Sequence, residues 1–208
     1  MRKAKLIWAA VLAMVAVSAV ASATASAAAP EFTVKTKFTD TSGSGTLALT
    51  GGNTIVCRKD KSSGEITGGK TVTDTIEFEE CTIFGFIGAE SLGASNEKII
   101  VKAKGELCFI SESAKQVGMF LEPEPVHIEA AGALAKVEGT LVGEVTPSGR
   151  KTKTGELKIK TSGGKQEFTK CGTKTASLTG SENEGATKEA TEATSDTITF
   201  EKETEVTN

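Results

Sequence analysis

The strongest constraint on this chain is an alternation of period two that recurs along most of its length. Between Glu31 and Phe38, the apolar residues Phe32, Val34 and Phe38 share one parity. From Thr71 to Phe78, Val72, Asp74, Ile76 and Phe78 alternate with Thr73, Thr75 and Glu77. Val126, Ile128 and Ala130 alternate with His127 and Glu129. Leu157 and Ile159 alternate with Glu156, Lys158 and Lys160, and Ile198 and Phe200 with Thr197, Thr199 and Glu201. Successive side chains of a strand point to opposite faces, so each run predicts a strand with one buried and one wet face. Threonine suits the wet face, being β-branched, stiff at χ1 and polar.

Breakers separate the runs: Gly51-Gly52-Asn53, Ser62-Ser63-Gly64, Gly68-Gly69-Lys70, Pro147-Ser148-Gly149 and Ser162-Gly163-Gly164. Short strands joined by such turns predict an all-β fold, a single-domain antiparallel sandwich or irregular barrel over residues 28–208. Ile99-Ile100-Val101 and Leu107 to Ile110 are denser in apolar residues and belong in central positions, and Gly139 and Gly143 are expected to mark bends or bulges. Gly85 to Glu97 reads as a long loop. In Ser181 to Asp196, Ala186, Ala190 and Ala193 have helical spacing, but three Ala make a thin apolar face, so an exposed loop or edge strand is expected.

The first 27 residues have the layout of a secretory signal peptide. Arg2, Lys3 and Lys5 precede the apolar run Leu6 to Val20, and Ala25-Ser26-Ala27 supplies small residues for cleavage. The run is short for a membrane span, and no later segment approaches spanning length, so no transmembrane anchor is expected in the mature form. The mature protein is expected outside the cytoplasm. Cleavage lowers Lys+Arg from 24 to 21 against 27 Asp+Glu, a net charge of −6. That balance argues against nucleic-acid binding, which needs a basic face. Trp8 leaves with the leader; the chain has no Tyr, so Phe is the only aromatic of residues 28–208. Leu, Ile, Val and Phe make up about 22% of those residues, just above the ~20% below which chains tend to stay disordered.

Covalent staples would help such a core. Cys57, Cys81, Cys108 and Cys171 are an even set in an oxidising compartment and read as two disulfides. Three pairings are open. Cys57–Cys81 is favoured because both flank one hairpin-like unit, which leaves Cys108–Cys171. Zinc is disfavoured, with no C-x-x-C pair and a single His far away in sequence.

No catalytic constellation emerges. His127 could act as a base, and Ser111 and Ser113 are candidate nucleophiles, but no G-x-S-x-G elbow exists and the bland reading is a surface His. Glu122, Glu124 and Glu129 could supply the paired carboxylates of a glycosidase; the bland reading is a solvated acidic loop spaced by Pro123 and Pro125. Asp40-Thr41-Ser42-Gly43 and Asp196 offer oxygen donors to a hard cation, yet no D-x-[DN]-x-[DN]-G loop is present. No catalytic, cofactor or metal residue is therefore assigned. Arg150, Lys151 and Lys153 form a small basic turn.

The order Ile55-Val56-Cys57, Gly64-Glu65-Ile66-Thr67-Gly68, Ile76-Glu77-Phe78, Cys81-Thr82, Gly105-Glu106-Leu107-Cys108, Pro125-Val126-His127-Ile128-Glu129, Val137-Glu138-Gly139-Thr140 and Val145-Thr146-Pro147 resembles a family of secreted Gly/Thr-rich proteins of soil actinobacteria. The resemblance covers roughly residues 45–206. It implies secretion and a β fold and carries over no functional residue. The expected function is that of a secreted, non-enzymatic protein, extracellular or associated with the cell envelope, that acts through its surface. The alternatives are a barrel that binds a small apolar ligand in a hollow interior, and an extracellular hydrolase using His127 or the Glu122/Glu124/Glu129 group. Partner and cofactor are left unassigned.

Overall fold

Four of the five alternating runs become strands, and one of them organises the rest; in the run Glu31 to Phe38 only Lys37 and Phe38 enter a strand, and Phe32 makes an isolated bridge to Val206. The structure, a computed structural model, describes residues 28–208; the leader assigned to residues 1–27 lies outside them. Thirteen strands of four or more residues follow in chain order: β1 (Lys37–Ser42), β2 (Gly45–Leu49), β3 (Thr54–Cys57), β4 (Lys59–Ile66), β5 (Thr71–Glu79), β6 (Ile99–Ser111), β7 (Gln116–Pro123), β8 (Val126–Ala130), β9 (Ala133–Gly139), β10 (Leu141–Thr146), β11 (Thr152–Ile159), β12 (Leu178–Glu182) and β13 (Lys188–Thr204). No helix occurs among the described residues.

Eight strands close an antiparallel barrel in the order β1, β4, β5, β6, β7, β10, β11, β13 and back to β1. Closure removes the unpaired edges that an open sheet would expose. The expectation of a sandwich or irregular barrel thus resolves to a closed barrel with extra strands. β13 serves twice. Its later part pairs with β1 and β11 in the barrel. Its first residues pair with β2 on one side, from Leu49 opposite Ala190 to Thr46 opposite Ala193, and with β12 on the other. A second sheet grows outward from there, through β3 and Thr82–Ile83 one way and through β9 and β8 the other.

The segment Ser181 to Asp196 is therefore neither helix nor edge. It turns at Asn183–Glu184, both at positive φ, and then enters the longest strand of the fold. Its alanines are small enough for close sheet packing, and Ala190 is buried in the second core. Ser62-Ser63-Gly64 is likewise no turn but the middle of β4. Of the two glycines expected at bends, Gly139 has φ +122 at the end of β9, whereas Gly143 lies in regular pairing opposite Met119. The ladder irregularities fall instead at Gln116/Val117 and Thr152/Thr154. Gly85 to Glu97 is a loop as expected, with two-residue pairings at Ile87–Gly88 and Glu90–Ser91. Ile99–Val101 and Leu107–Ile110 belong to one strand, β6, flanked on both sides.

The barrel interior is packed. Phe38, Ile66, Val72, Phe109 and Phe200 are among its buried residues, and the cavity among them is only about 30 Å³. Phe38 and Phe200, facing each other across the closing β1–β13 pair, meet edge to face at 6.3 Å. Such a contact contributes about 0.5–1.5 kcal/mol beyond burial of the rings. A second core, with Leu49, Ile55, Ile128, Val137 and Ile159, fills the space between the barrel and the second sheet, leaving about 60 Å³.

Both disulfides pair as the sequence suggested, with Cα–Cα separations of 3.9 Å for Cys57–Cys81 and 5.4 Å for Cys108–Cys171. Cys57–Cys81 lies inside the second core. Cys108–Cys171 pins the segment after β11 against Phe120 and Val142, on the barrel's outer wall. The bridges span 24 and 63 residues, and loop-closure entropy alone assigns them about 3.5 and 4.3 kcal/mol. The double variant Cys108→Ala/Cys171→Ala should lose about 4 kcal/mol in a urea titration. Limited proteolysis should then cut first between residues 161 and 177. A Cβ at Gly64 would strike the Phe38 ring and the Thr73 carbonyl. Gly64→Ala should cost about 1–3 kcal/mol by overpacking, read from the same titration.

Candidate functional site

Residues 28–208 contain four aspartates, and every one points into the barrel: Asp40 on β1, Asp60 on β4, Asp74 on β5 and Asp196 on β13. The parity of the strands puts them there. Asp40 lies opposite Ser62 and Ile198, and Ser42 lies opposite both Asp60 and Asp196, so three neighbouring strands aim polar side chains at one spot. Asp40, Asp60 and Asp196 each bring a carboxylate oxygen within 4.8 Å of the others, and all three are buried. The glutamates, by contrast, are mostly exposed.

Hydroxyl groups line the cluster. Ser42 Oγ donates to Asp60 Oδ2, and Ser62 Oγ lies within hydrogen-bond distance of Asp40 and Asp74. Thr194 Oγ1 is 3.1 Å from Asp196 Oδ1 and 3.5 Å from Asp60 Oδ2. Two oxygens are left over: Asp60 Oδ1 and Asp74 Oδ1 are buried and have no hydrogen-bond partner. Among the described residues no Lys or Arg pairs with any of the four aspartates, although salt bridges are numerous on the outer surface.

Two unit charges about 4.8 Å apart repel by about 3.5 kcal/mol at an effective dielectric constant of 20. Three bare carboxylates here are thus strongly disfavoured. Burial pushes the Asp196 carboxyl up to about 8, with Asp60 and Asp40 adding repulsion. Burial likewise raises Asp40 to about 7, helped by Asp74 and Asp60 and opposed by the Ser62 hydrogen bond. Glu192, next along β13, is raised to about 7 by desolvation and by Asp60. Asp60 and Asp74 are raised too, chiefly by burial. Chemically the arrangement can hold protons, or it can hold a hard cation that wants oxygen donors.

The outer face of the same strands carries a second feature, an open groove of about 900 Å³. A row of exposed hydroxyls crosses it, Thr199 beside Thr39 beside Ser63 beside Thr75, with Lys102 next in line. Lys37, Lys104, Glu65, Glu122 and Glu201 edge the groove, and its lining includes neither His nor Cys.

The candidate catalytic residues do not come together. His127 is exposed on β8 opposite Lys136, and Glu129 lies opposite Leu134 on the same hairpin. Glu122 and Glu124 line the outer groove, with Glu122 3.8 Å from Lys174. Ser111 and Ser113 touch each other, 3.3 Å apart, at the β6–β7 turn. No hydrogen bond or ion pair joins His127 to any of these. Arg150, Lys151 and Lys153 remain exposed around the β10–β11 turn, away from the groove. The two stretches weighed for a cation, Asp40 to Gly43 and Asp196, are the ones the fold brings together. The sequence does not single out Asp60 and Asp74 as site residues: the alternation gives a strand parity to Asp74 alone, and reading Ser62-Ser63-Gly64 as a turn hides Asp60, which the structure places within β4. No family model, curated protein or solved structure matched the chain.

In buffer freed of divalent cations, stability should fall as pH rises from 5 to 8. The folded-state carboxyls hold protons that the unfolded chain, with ordinary values near 4, has already lost. The loss should be on the order of 1 kcal/mol per pH unit for each group titrating. Asp196→Asn should flatten the profile, as read by thermal melts followed by far-UV circular dichroism.

Proposed function

We propose that the chain is a secreted, non-enzymatic protein of the cell envelope or its surroundings that acts through the outer face of its barrel. The observation that carries this reading is the cross-strand row Thr199, Thr39, Ser63 and Thr75, with Lys102 at its end, in a groove of about 900 Å³. Neighbouring strands lie about 4.8 Å apart, so the hydroxyls repeat at a spacing suited to an extended polar polymer. Recognition of this kind works by hydrogen bonds and by Lys37, Lys102 and Lys104, not by aromatic stacking, in keeping with a chain that keeps only Phe. The two disulfides suit an oxidising compartment. No helix of the described residues is long and apolar enough to cross a membrane. The resemblance to a secreted Gly/Thr-rich family points the same way.

The apolar-ligand reading loses its support, because it needs an interior void of about 300 Å³ or more and the two cores leave about 30 and 60 Å³. The hydrolase reading finds no convergence of His127 with Glu122, Glu124 or Glu129.

Co-sedimentation with insoluble cell-envelope material tests the proposal. The wild-type protein should be retained, and Thr39→Val/Thr75→Val should lower its affinity about tenfold, at about 0.5–1.5 kcal/mol for each hydrogen bond removed. Both sites are exposed strand positions, so the melting curve should stay put. A wild-type protein that remains wholly in the supernatant would sink this reading.

A further inference from the structure

We infer that the barrel interior holds one calcium ion between β1, β4 and β13, with Asp40, Asp60 and Asp196 as carboxylate ligands and the hydroxyls of Ser42, Ser62 and Thr194 completing an oxygen shell. This site is separate from the outer groove and does not rest on it.

Three observations carry the inference. The first is geometric: the three carboxylate oxygens lie within 4.8 Å of one another, the widest separation of two donors on opposite sides of an ion with bonds of about 2.4 Å. The second is the orphaned oxygen. Asp60 is 4% exposed, and its Oδ1 is buried in the cluster with no partner, although protein interiors satisfy nearly all such groups. No N–H, hydroxyl or cationic side chain of the described residues satisfies this oxygen; the adjacent Asp196 carboxyl could serve it only while it keeps its proton, whereas a metal ion would satisfy it with every carboxyl ionised. The third is the partition of acidic residues. All four Asp face inward, while most Glu lie outside. The short Asp side chain holds its carboxylate close to its own strand, which is what a rigid ligand set drawn from three adjacent strands requires.

The identity of the ion follows from the donors and the burial. All six side chains offer oxygen, and none offers nitrogen or sulfur, which selects a hard cation. Magnesium gives up its waters reluctantly and usually keeps several, whereas this interior is filled by two apolar cores on either side. Calcium accepts six to eight protein oxygens in flexible geometry. It would also cancel most of the mutual repulsion of the carboxylates, so that the ion fastens β13 to β1 and β4 where the barrel closes.

The aspartate content makes the test direct. Protein labelled with ¹³C at the aspartate carboxyl carbon gives one signal each for Asp40, Asp60, Asp74 and Asp196, since residues 1–27 contain no Asp. Titration of the folded protein with CaCl₂ to about 10 mM, covering the affinity range of extracellular calcium modules, should move the Asp40, Asp60 and Asp196 signals in one saturable step. Asp74 should move least, and equilibrium dialysis should count one ion per chain. The melting temperature should rise by roughly 5–10 °C at a hundredfold excess over Kd, and equal MgCl₂ should do much less. Signals that do not move, or that drift without saturating, would overturn the site and leave the cluster as carboxyls sharing protons. Asp60→Asn should abolish the saturable step; if it folds and still binds calcium like the wild type, the inference fails. Should that variant not fold, the labelled wild-type titration decides alone.

Discussion

Closure of the barrel depends on the pairing of β1 with β13. Seven of the eight ladders join strands that chain order or short loops bring together, or that already belong to the growing sheet. The β1–β13 ladder joins the two ends of that sheet, from Phe38 opposite Phe200 to Ser42 opposite Asp196. Its inner face is apolar at one end, where the Phe pair locks, and acidic at the other, where Asp40 and Asp196 meet Asp60. Apolar contact and charge repulsion therefore act on the same seam, and whatever neutralises the carboxylates also determines how firmly the barrel shuts. The residues of β13 that precede the seam belong to the second sheet, so the second core inherits its position from the same strand.

Much of this fold was legible because the period of two is a direct imprint of burial. The runs at Thr71–Phe78, Pro125–Ala130 and Lys153–Lys160 matched strands, and the preferred cysteine pairing matched both bridges. Where the reading went astray, tertiary pairing overrode local chemistry. Ser62-Ser63-Gly64 looks like a turn, but the missing side chain at Gly64 makes room for the Phe38 ring within a regular strand. The Ala/Thr/Glu stretch before Asp196 looks soft because its apolar groups are small; flanked by β2 and β12, small groups are what fit. Phenylalanine is not only core, either. Phe84 and Phe86 are 68% and 78% exposed on the loop after β5, which no hydrophobic count could have distinguished from buried rings.

The interior acids show why a candidate site can be half visible. Asp40 and Asp196 stood out because each neighbours hydroxyls and turn residues. The alternation puts Asp74 on the buried parity with Val72 and Ile76. A carboxylate on the apolar parity of a strand is costly unless neutralised, so its position alone marks it for chemistry. The outer hydroxyl row was legible face by face as Thr-rich strands, but its continuity needed the register between β13, β1, β4 and β5, which spacing along the chain does not contain.

The two ends of residues 28–208 are also zipped together. Phe32 bridges to Val206, and backbone bonds run from Thr33 to Glu205 and from Thr207 to Glu31. β13, which completes the barrel, follows the seven other barrel strands in chain order, and its partner β1 is the first of them. Until β13 docks, those seven strands can form only an open sheet whose edges are β1 and β11. The Thr-rich, lysine-bearing outer face of β1 and β11 and the inward Asp40 of β1 oppose edge-to-edge association of such a sheet, a protection that the finished barrel no longer needs.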